Sequence, residues 1–331
     1  HTVEKSTAQE VDVACSPMRQ TVRKKWRLLS KEQEERLILF MWIKGRQKMD
    51  RNLMIMAAGG SSRMRKSAEA ENSSELAKEA QVKPKMMLGV GEDSRPFMDY
   101  LLFNARDAGY RDVLLIVNDR DDFVRNYYTT RANYPDFEGL TFSFAVQTVP
   151  EGRAKPLGTA DAVLSGLEAR LDWAGQKFTV CNSDNLYSVH SLSLLLGDDH
   201  SASLIDYDRD SLGVEPERVN AFAVIWKNDN GYLTDIVEKP CQEEVLKATD
   251  ENGRVGVSMN IFRLDTDTMI PLLKETPLHP ERDEEELTET VRMLVRSQEE
   301  GMHTIPLSEP VPDLTNLKDI STVQSFISSN H

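Results

Sequence analysis

One glycine-rich stretch reads Leu53-Met54-Ile55-Met56-Ala57-Ala58-Gly59-Gly60-Ser61-Ser62-Arg63-Met64-Arg65. Its four leading apolar residues are typical of a buried strand, and the small residues that follow allow a tight backbone turn. Such a turn after a strand can aim successive N–H groups at a phosphate, and a following helix adds its positive end. Arg63 supplies a forked cation for phosphate oxygens. The stretch therefore predicts a phosphate-binding loop.

Two better-known phosphate loops do not fit this stretch. A P-loop places a glycine directly before its Lys-Ser pair, whereas Arg65 precedes Lys66 and Ser67 here. The dinucleotide fingerprint requires three spaced glycines, and only Gly59 and Gly60 are present. The loop therefore represents another class of phosphate site.

The residues downstream alternate between strand-like and helix-like patterns. Apolar runs predict strands at 113–117, 140–146, 178–181, 201–206, 221–226, 232–237 and 255–264, and other patterns predict helices at 68–80, 97–108, 158–171, 284–299 and 316–328. The continuous apolar run 113–117 is typical of a parallel strand that is covered on both faces. The order predicts an α/β, Rossmann-like fold with a mixed, mostly parallel central sheet flanked by helices.

Composition and charge limit the class of protein. The chain of 331 residues is 40% hydrophobic, and no apolar run reaches the roughly 20 residues that a membrane span needs. A net charge of −14 argues against a nucleic-acid partner. The first 20 residues lack the apolar core of a signal peptide, and Cys15, Cys181 and Cys241 have no metal-binding spacing. We therefore expect a cytoplasmic protein with reduced thiols and no membrane partner.

Polar motifs recur at predicted strand ends and helix starts. They are Lys83-Pro84-Lys85, Gln147 with Lys155-Pro156-Leu157-Gly158-Thr159-Ala160, Asn182-Ser183-Asp184-Asn185, Glu238-Lys239-Pro240 and Gly256-Val257-Ser258-Met259-Asn260. The Gln147 amide offers both a donor and an acceptor, which the edge of a nucleobase requires. Asp184 follows an apolar strand, where ligands bind in open α/β sheets, and a single carboxylate there suits Mg²⁺. Each motif alone also fits a structural role, so their co-occurrence carries the inference.

Taken in this order, the motifs from the glycine-rich stretch to Asn260 resemble those of the sugar-1-phosphate nucleotidyltransferases, which have a GT-A-like fold. The resemblance implies that Ala57, Ala58, Gly59, Gly60, Gln147, Gly158 and Thr159 bind the nucleotide. It further implies catalytic roles for Arg63, Lys85, Asp184 and Lys239, and acceptor contacts from Glu238, Lys239 and Asn260.

The metal ligands that the resemblance implies are Asp184 and Asn260. Many family members have an aspartate as the second ligand, so Asn260 is a departure, one that resembles the uridylyltransferases acting on amino-sugar phosphates. Asp265 and Asp267 lie just beyond it and are alternatives for the second ligand. The cofactor implied is Mg²⁺.

The expected reaction joins an NTP to a sugar 1-phosphate and releases pyrophosphate by in-line attack on the α-phosphate. Two alternatives remain open: a cytidylyltransferase for a phosphorylated alcohol or polyol, and a non-catalytic nucleotide-sugar sensor of the same fold. The sequence also leaves the base, the sugar and the formation of a homo-oligomer open.

Residues 1–48 differ from the rest of the chain. They carry a net positive charge, and Ser30-Lys31-Glu32-Gln33 has the form of a helix-capping box. We predict an N-terminal extension at 1–48, partly disordered with one helix near 30–44. A catalytic domain at 49–331 follows and includes a C-terminal helical segment.

Overall fold

A computed structural model describes residues 50–71, 74–91, 94–119, 121–214 and 222–330. Within the chain, Asp50–His331 forms one compact unit. The predicted extension at 1–48, with its helix near 30–44, lies outside the described residues. None of the described helices is long and apolar enough to cross a membrane.

Strands and helices alternate along the first half of this unit. In chain order the strands are β1 (Asn52–Met56), β2 (Asp112–Asn118), β3 (Thr141–Gln147), β4 (Lys177–Asn182), β5 (Ser203–Asp208), β6 (Ala223–Lys227), β7 (Leu233–Val237), β8 (Gly256–Ser258), β9 (Ile261–Asp265) and β10 (His303–Leu307). The helices are α1 (Ser62–Glu71), α2 (Glu75–Val82), α3 (Phe97–Ala108), α4 (Asp122–Arg131), α5 (Thr159–Ala169), α6 (Val189–Gly197), α7 (Gln242–Ala248), α8 (Thr266–Glu275), α9 (Leu287–Ser297) and α10 (Asp319–Asn330).

The strands that the structure describes form one mixed sheet of ten, in the order β3-β2-β1-β4-β9-β5-β8-β6-β7, with β10 paired to β5. Strands β1 to β4 are parallel neighbours, whereas β9 runs antiparallel to both β4 and β5. Strand β9 pairs with the first part of β5 and strand β8 with the last part, so the chain bends between β8 and β9 while both stay on the same side of β5. The predicted mixed, mostly parallel sheet flanked by helices is confirmed.

Both faces of the sheet are buried. Along β1, Leu53 and Ile55 belong to one hydrophobic core, while Met54 belongs to the core on the other face. Strand β2 alternates in the same way, because successive side chains of a strand point to opposite faces. This arrangement accounts for the continuous apolar run at 113–117.

Three element predictions need correction. The strand predicted at 255–264 is two strands, because the chain bends at Met259 and at Asn260, which has a φ of 55°. The helix predicted at 68–80 is two helices, whose residues Ala68, Ala77 and Ala80 are fully buried. The helix predicted at 284–299 begins only at Leu287.

Candidate active site

The predicted site motifs converge on the carboxyl edge of the sheet. Met56 pairs with Ile116 and Asn182, and Asn118 pairs with Gln147, so strands β1 to β4 end together. Because β9 runs antiparallel to β4 and Ile261 pairs with Cys181, residue 260 lies at the same edge. This is the edge at which open α/β sheets bind ligands.

The glycine-rich loop presents bare backbone to solvent at this edge. Gly59 and Gly60 are both exposed, and a Cβ added to either residue would meet no protein atom within 4 Å. Neither glycine has a positive φ, so neither backbone strain nor packing requires glycine at these positions. Close approach of a ligand to the backbone is the remaining physical reason for two glycines. Arg63 follows in the exposed first turn of α1.

Lys85 connects three of the predicted motifs. Its ammonium forms an ion pair with Asp184 Oδ2, and both side chains are mostly buried. Its backbone N–H donates to Ser61 Oγ, which lies in the glycine-rich loop, at 3.1 Å. The loop, the Lys-Pro-Lys segment and the turn after β4 therefore form one continuous site.

The turn after β4 is anchored from two sides. Tyr187 donates its hydroxyl to the Met259 carbonyl at 2.7 Å, which holds the turn against the bend before β9. The Asp184 carbonyl accepts a hydrogen bond of 2.8 Å from Leu314 N–H. These bonds hold the turn that carries Asp184 at the edge of the sheet where Asn260 lies, just before β9.

Asp265 and Asp267 do not lie at this edge and are excluded as second metal ligands. Asp265 pairs with Lys177 at the opposite edge, where its carboxylate caps α8 by accepting from Thr268 N–H at 2.9 Å. Asp267 accepts from Gly175 N–H at 3.0 Å. Of the predicted metal ligands, the Asp184 carboxylate and the Asn260 amide remain at this edge. Both offer oxygen atoms of the kind that Mg²⁺ prefers as ligands.

The predicted base-recognition residues contact one another. Gln147 is buried at the end of β3, and its Nε2 donates to the Gly158 carbonyl at 2.6 Å and to Asp161 Oδ2 at 2.8 Å. Gly158 has a φ of 140°, and a Cβ there would lie 2.3 Å from the Glu285 carbonyl oxygen. Thr159 Oγ1 accepts from Leu287 N–H at 2.9 Å. Glycine is therefore required at 158 by both conformation and packing.

The connection between α8 and α9 contributes residues that sequence reasoning missed. Glu238 accepts from Arg282 Nη1 and, at 2.7 Å, from Thr288 Oγ1. Arg282 also pairs with Glu286 at 2.7 Å. Burial and then the negative charge of Glu238 raise the pKa of Glu286 to about 7. The only signal in the sequence was the acidic run 283–286, a pattern more typical of a solvated surface.

Lys239 follows β7 and is exposed, with a φ of 49°. Val237 pairs with Val224, and the preceding Ala223 pairs with Ser258, so the end of β7 lies two strands from the bend at residues 259 and 260. Two strand spacings are about 10 Å. The ammonium of a lysine side chain can bridge most of that distance.

Backbone strain concentrates at the site. Among the described residues, the non-glycine residues with positive φ are Ser61, Ser94, Lys239, Asn260 and Asp283. Two of them are predicted site residues, and Ser61 lies in the glycine-rich loop. Such conformations cost on the order of 1 kcal/mol or more and cluster at functional sites.

Comparisons with known proteins identify relatives of this chain. The chain is 22% identical over 238 residues to a glucose-1-phosphate adenylyltransferase of Corynebacterium diphtheriae. This match covers 69% of this chain and 54% of the relative. It is 24% identical to glucose-1-phosphate adenylyltransferase 2 of Vibrio parahaemolyticus, covering 63% of this chain and 48% of the relative. The chain thus spans about half the length of the curated relatives that it matches.

A solved structure shares the fold. The UDP-glucose pyrophosphorylase complexed with UDP-glucose superposes with a TM-score of 0.59 at 18% identity, covering 85% of this chain and 99% of that chain. The family model described as nucleotidyl transferase matches residues 79–330. The glycine-rich loop precedes that range, whereas Lys85, Asp184 and Lys239 fall within it. Since the match covers about three quarters of the 331 residues, the chain belongs to the nucleotidyl transferase family.

Proposed function

We propose that this chain is an enzyme that joins an NTP to a sugar 1-phosphate, giving a nucleotide sugar and pyrophosphate. The observation that supports it best is the Lys85–Asp184 ion pair beside the exposed glycine backbone. In this ion pair the ammonium of Lys85 and the carboxylate of Asp184 neutralise each other. A triphosphate would bind the ammonium of Lys85, and a metal cation would bind the carboxylate of Asp184. One site can therefore bind both species.

The chain's own residues bind and position two polyanions. Backbone N–H groups of the Ala57–Gly60 loop, together with Arg63 and Lys85, contact the phosphates that leave as pyrophosphate. Lys239 holds the acceptor phosphate, with Glu238 on the sugar. The Gly158–Thr159 backbone binds the base together with Gln147, whose Nε2 already donates to Gly158 and Asp161 and so fixes this segment. Catalysis then consists of positioning and charge neutralisation.

The bond changes require no proton transfer. One oxygen of the acceptor phosphate forms a bond to the α-phosphorus, and the bond from that phosphorus to the pyrophosphate oxygen breaks. The attacking oxygen is already ionised at neutral pH, so no general base is needed. Asp184 and Asn260 would hold Mg²⁺, which supplies charge neutralisation between the reacting phosphates when bound.

Glucose 1-phosphate is the first acceptor to test, with ATP and UTP as the nucleotides. The curated relatives are named for glucose 1-phosphate and the structural neighbour for UDP-glucose. We place the reaction in the cytoplasm, where thiols such as the free Cys181 and Cys241 stay reduced.

The test is pyrophosphate release with the full chain and Mg²⁺, using four NTPs against a panel of sugar 1-phosphates and polyol phosphates. We expect release that depends on a sugar 1-phosphate and a product with the mass of the nucleotide sugar. Release only with CTP and a polyol phosphate would replace this proposal with a cytidylyltransferase. Nucleotide-sugar binding by calorimetry without any release would identify a sensor.

A further inference from the structure

A cluster of two histidines and one aspartate lies at the other edge of the sheet. Asp198 follows α6, His200 lies two residues later and His303 begins β10. Because β10 runs parallel to β5 and β5 antiparallel to β9, the amino ends of β5 and β10 face away from Lys85 and Asp184. The cluster is therefore separate from the candidate active site.

Both imidazole rings direct Nδ1 at the same carboxylate. His200 Nδ1 lies 3.0 Å from Asp198 Oδ1, and His303 Nδ1 lies 2.9 Å from Oδ2. The two rings stack with their centroids 3.9 Å apart, and potential ligand atoms of all three residues lie within 4.8 Å of one another. A tetrahedral zinc ion with ligands at about 2.0–2.1 Å sets neighbouring ligand atoms about 3.3 Å apart. The two Nδ1–oxygen distances lie a few tenths of an ångström below that value.

The Asp198 carboxylate is already held in place. Asp198 is 9% exposed at its side chain and accepts the His200 backbone N–H at 2.9 Å. The His200 side chain is 41% exposed, which leaves room for a water as a further ligand.

We propose that Asp198, His200 and His303 form a binding site for a divalent transition-metal ion, with zinc the best match. Two imidazole nitrogens and one carboxylate oxygen suit zinc, whereas Mg²⁺ takes oxygen ligands. The ion takes the place of the hydrogens between each Nδ1 and the carboxylate, and each neutral ring then carries its proton on Nε2.

The site joins segments that are distant in sequence. Asp198 and His303 are 105 residues apart. Tyr232, just before β7, forms a bridge with His303 and packs its ring edge-on at 5.8 Å from both imidazoles. An ion that binds only the folded chain stabilises it by mass action. The role that this position indicates is a structural one, at the amino ends of β5 and β10.

The test is titration of the full chain with Zn²⁺ and Co²⁺ in excess Mg²⁺, in a Cys241→Ser background that removes an exposed thiol. Calorimetry gives stoichiometry and affinity, Co²⁺ absorption in the visible reports low-symmetry coordination, and Tm reports stabilisation. His200→Ala is the main variant because this ring is the more exposed of the two. His190→Ala is the matched control, since His190 is 63% exposed and, among the described residues, forms an ion pair with one carboxylate, that of Glu309, at 3.4 Å.

We expect one Zn²⁺ per chain, a rise in Tm, and at least about a tenfold loss of affinity in His200→Ala, because even outer-shell changes cost metal sites 10–100-fold. Asp198→Asn should behave in the same way, and His190→Ala should bind as the parent does. Absence of binding in the parent would overturn the site. Equal affinity in the parent and in His200→Ala, or equal losses in His200→Ala and His190→Ala, would also overturn it.

Discussion

Two neighbouring lysines at residues 83 and 85 have different partners, which provides a direct test of the phosphate site. Lys85 pairs with Asp184, whereas Lys83 pairs with Glu79 of α2 at 2.5 Å. At an effective dielectric of ~20, a unit charge pair at ~4 Å is worth about 4 kcal/mol before desolvation. Losing half of that costs roughly 30-fold in rate. Lys85→Ala should therefore lower kcat/KM for pyrophosphate release by at least about 30-fold.

Lys83→Ala is the control for that change. The ammonium of Lys83 pairs with Glu79 of α2 and lies 5.5 Å from the Phe123 ring centre, away from the predicted phosphate site. We therefore expect kcat/KM within about twofold of the parent. Circular dichroism should show both variants folded. Equal rate losses in the two variants would mean that Lys85 has no special role.

Lys239 should act on the acceptor rather than on the triphosphate, because Arg63 and Lys85 already serve the glycine-rich loop. Lys239→Ala should raise the KM for the sugar phosphate or lower kcat by roughly 30-fold. Affinity for the NTP, measured by calorimetry without acceptor, should stay nearly unchanged. A large loss of NTP affinity would place Lys239 on the wrong substrate.

Lys239→Gly separates charge from strain. Glycine adopts a φ of 49° without the cost of a Cβ, which is about 1 kcal/mol, so this variant should unfold at higher urea than Lys239→Ala. Both variants should lose acceptor binding equally, because neither carries the ammonium. If Lys239→Gly retained acceptor binding, the backbone conformation rather than the charge would be the functional feature.

At the scale of elements, the loop between β3 and α5 depends on the connection between α8 and α9. A Cβ at Gly158 would overlap the Glu285 carbonyl, and the φ of 140° already disfavours alanine. We expect Gly158→Ala to lower the free energy of unfolding by at least about 2 kcal/mol. Gly152→Ala is the control, because a φ of 80° with open space around it should cost only about 1 kcal/mol. Equal losses in urea unfolding would show that packing on Glu285 is unimportant.

The same connection should give the fold a dependence on pH. Since the pKa of Glu286 is raised to about 7 from an ordinary value near 4.5, the folded state binds more protons between those values. The contribution of Glu286 to the free energy of unfolding is therefore greatest below pH ~4.5 and falls as pH rises through ~7. Glu286→Gln should flatten that decline, as measured by urea unfolding between pH 5 and 8.

Thr288→Val provides the comparison for this pH effect. It removes the hydrogen bond to Glu238 at 2.7 Å but no titrating group. We expect it to lower the free energy of unfolding by about 1 kcal/mol at every pH and to keep the slope of the parent. An unchanged slope in Glu286→Gln would mean that its carboxylate ionises as in the unfolded chain.

The elements that the sequence predicted well are those whose local pattern matches their burial. Strand β2 lies between the two hydrophobic cores and contributes side chains to both, so all of its residues from 113 to 117 are apolar. Strand β10 was missed because Pro306 reads as a breaker. Among the described strands β10 pairs with β5, and the bridge on its other side lies at His303, away from Pro306, so the missing N–H is tolerated. The bend at Met259 and Asn260 was missed because it depends on tertiary pairing: the residues before it, in β8, pair with β6, and the residues after it, in β9, pair with β4.

The candidate site was predictable where motifs are contiguous, and less so where contacts are long-range. Lys85 and Asp184 stand out in their own motifs, and the structure pairs them across 99 residues. The contact of Glu238 with Arg282 joins residues 44 positions apart, and no local sequence pattern predicts it. The same holds for His303 and Asp198, which tertiary structure alone brings together.

At the scale of the whole molecule, Asp50–His331 is one compact unit whose first strand depends on the residues just before it. Asp50 Oδ2 accepts from Lys177 N–H at 2.8 Å, and the Arg51 carbonyl accepts from Arg111 N–H at 3.0 Å. Asn52 Nδ2 donates to the Lys177 carbonyl at 3.1 Å. The start of β1 is thus connected to both neighbouring strands by residues 50 to 52.

A chain that begins at Met49 should therefore keep both fold and activity, since it retains these bonds and lacks only the proposed extension. A chain that begins at Leu53 is the control. It loses several hydrogen bonds worth about 1 kcal/mol each, and it should unfold at clearly lower urea. Pyrophosphate release should match the full chain for the Met49 start. A Met49 start that folds as the parent does but has lost activity would make residues 1–48 part of the functional machinery.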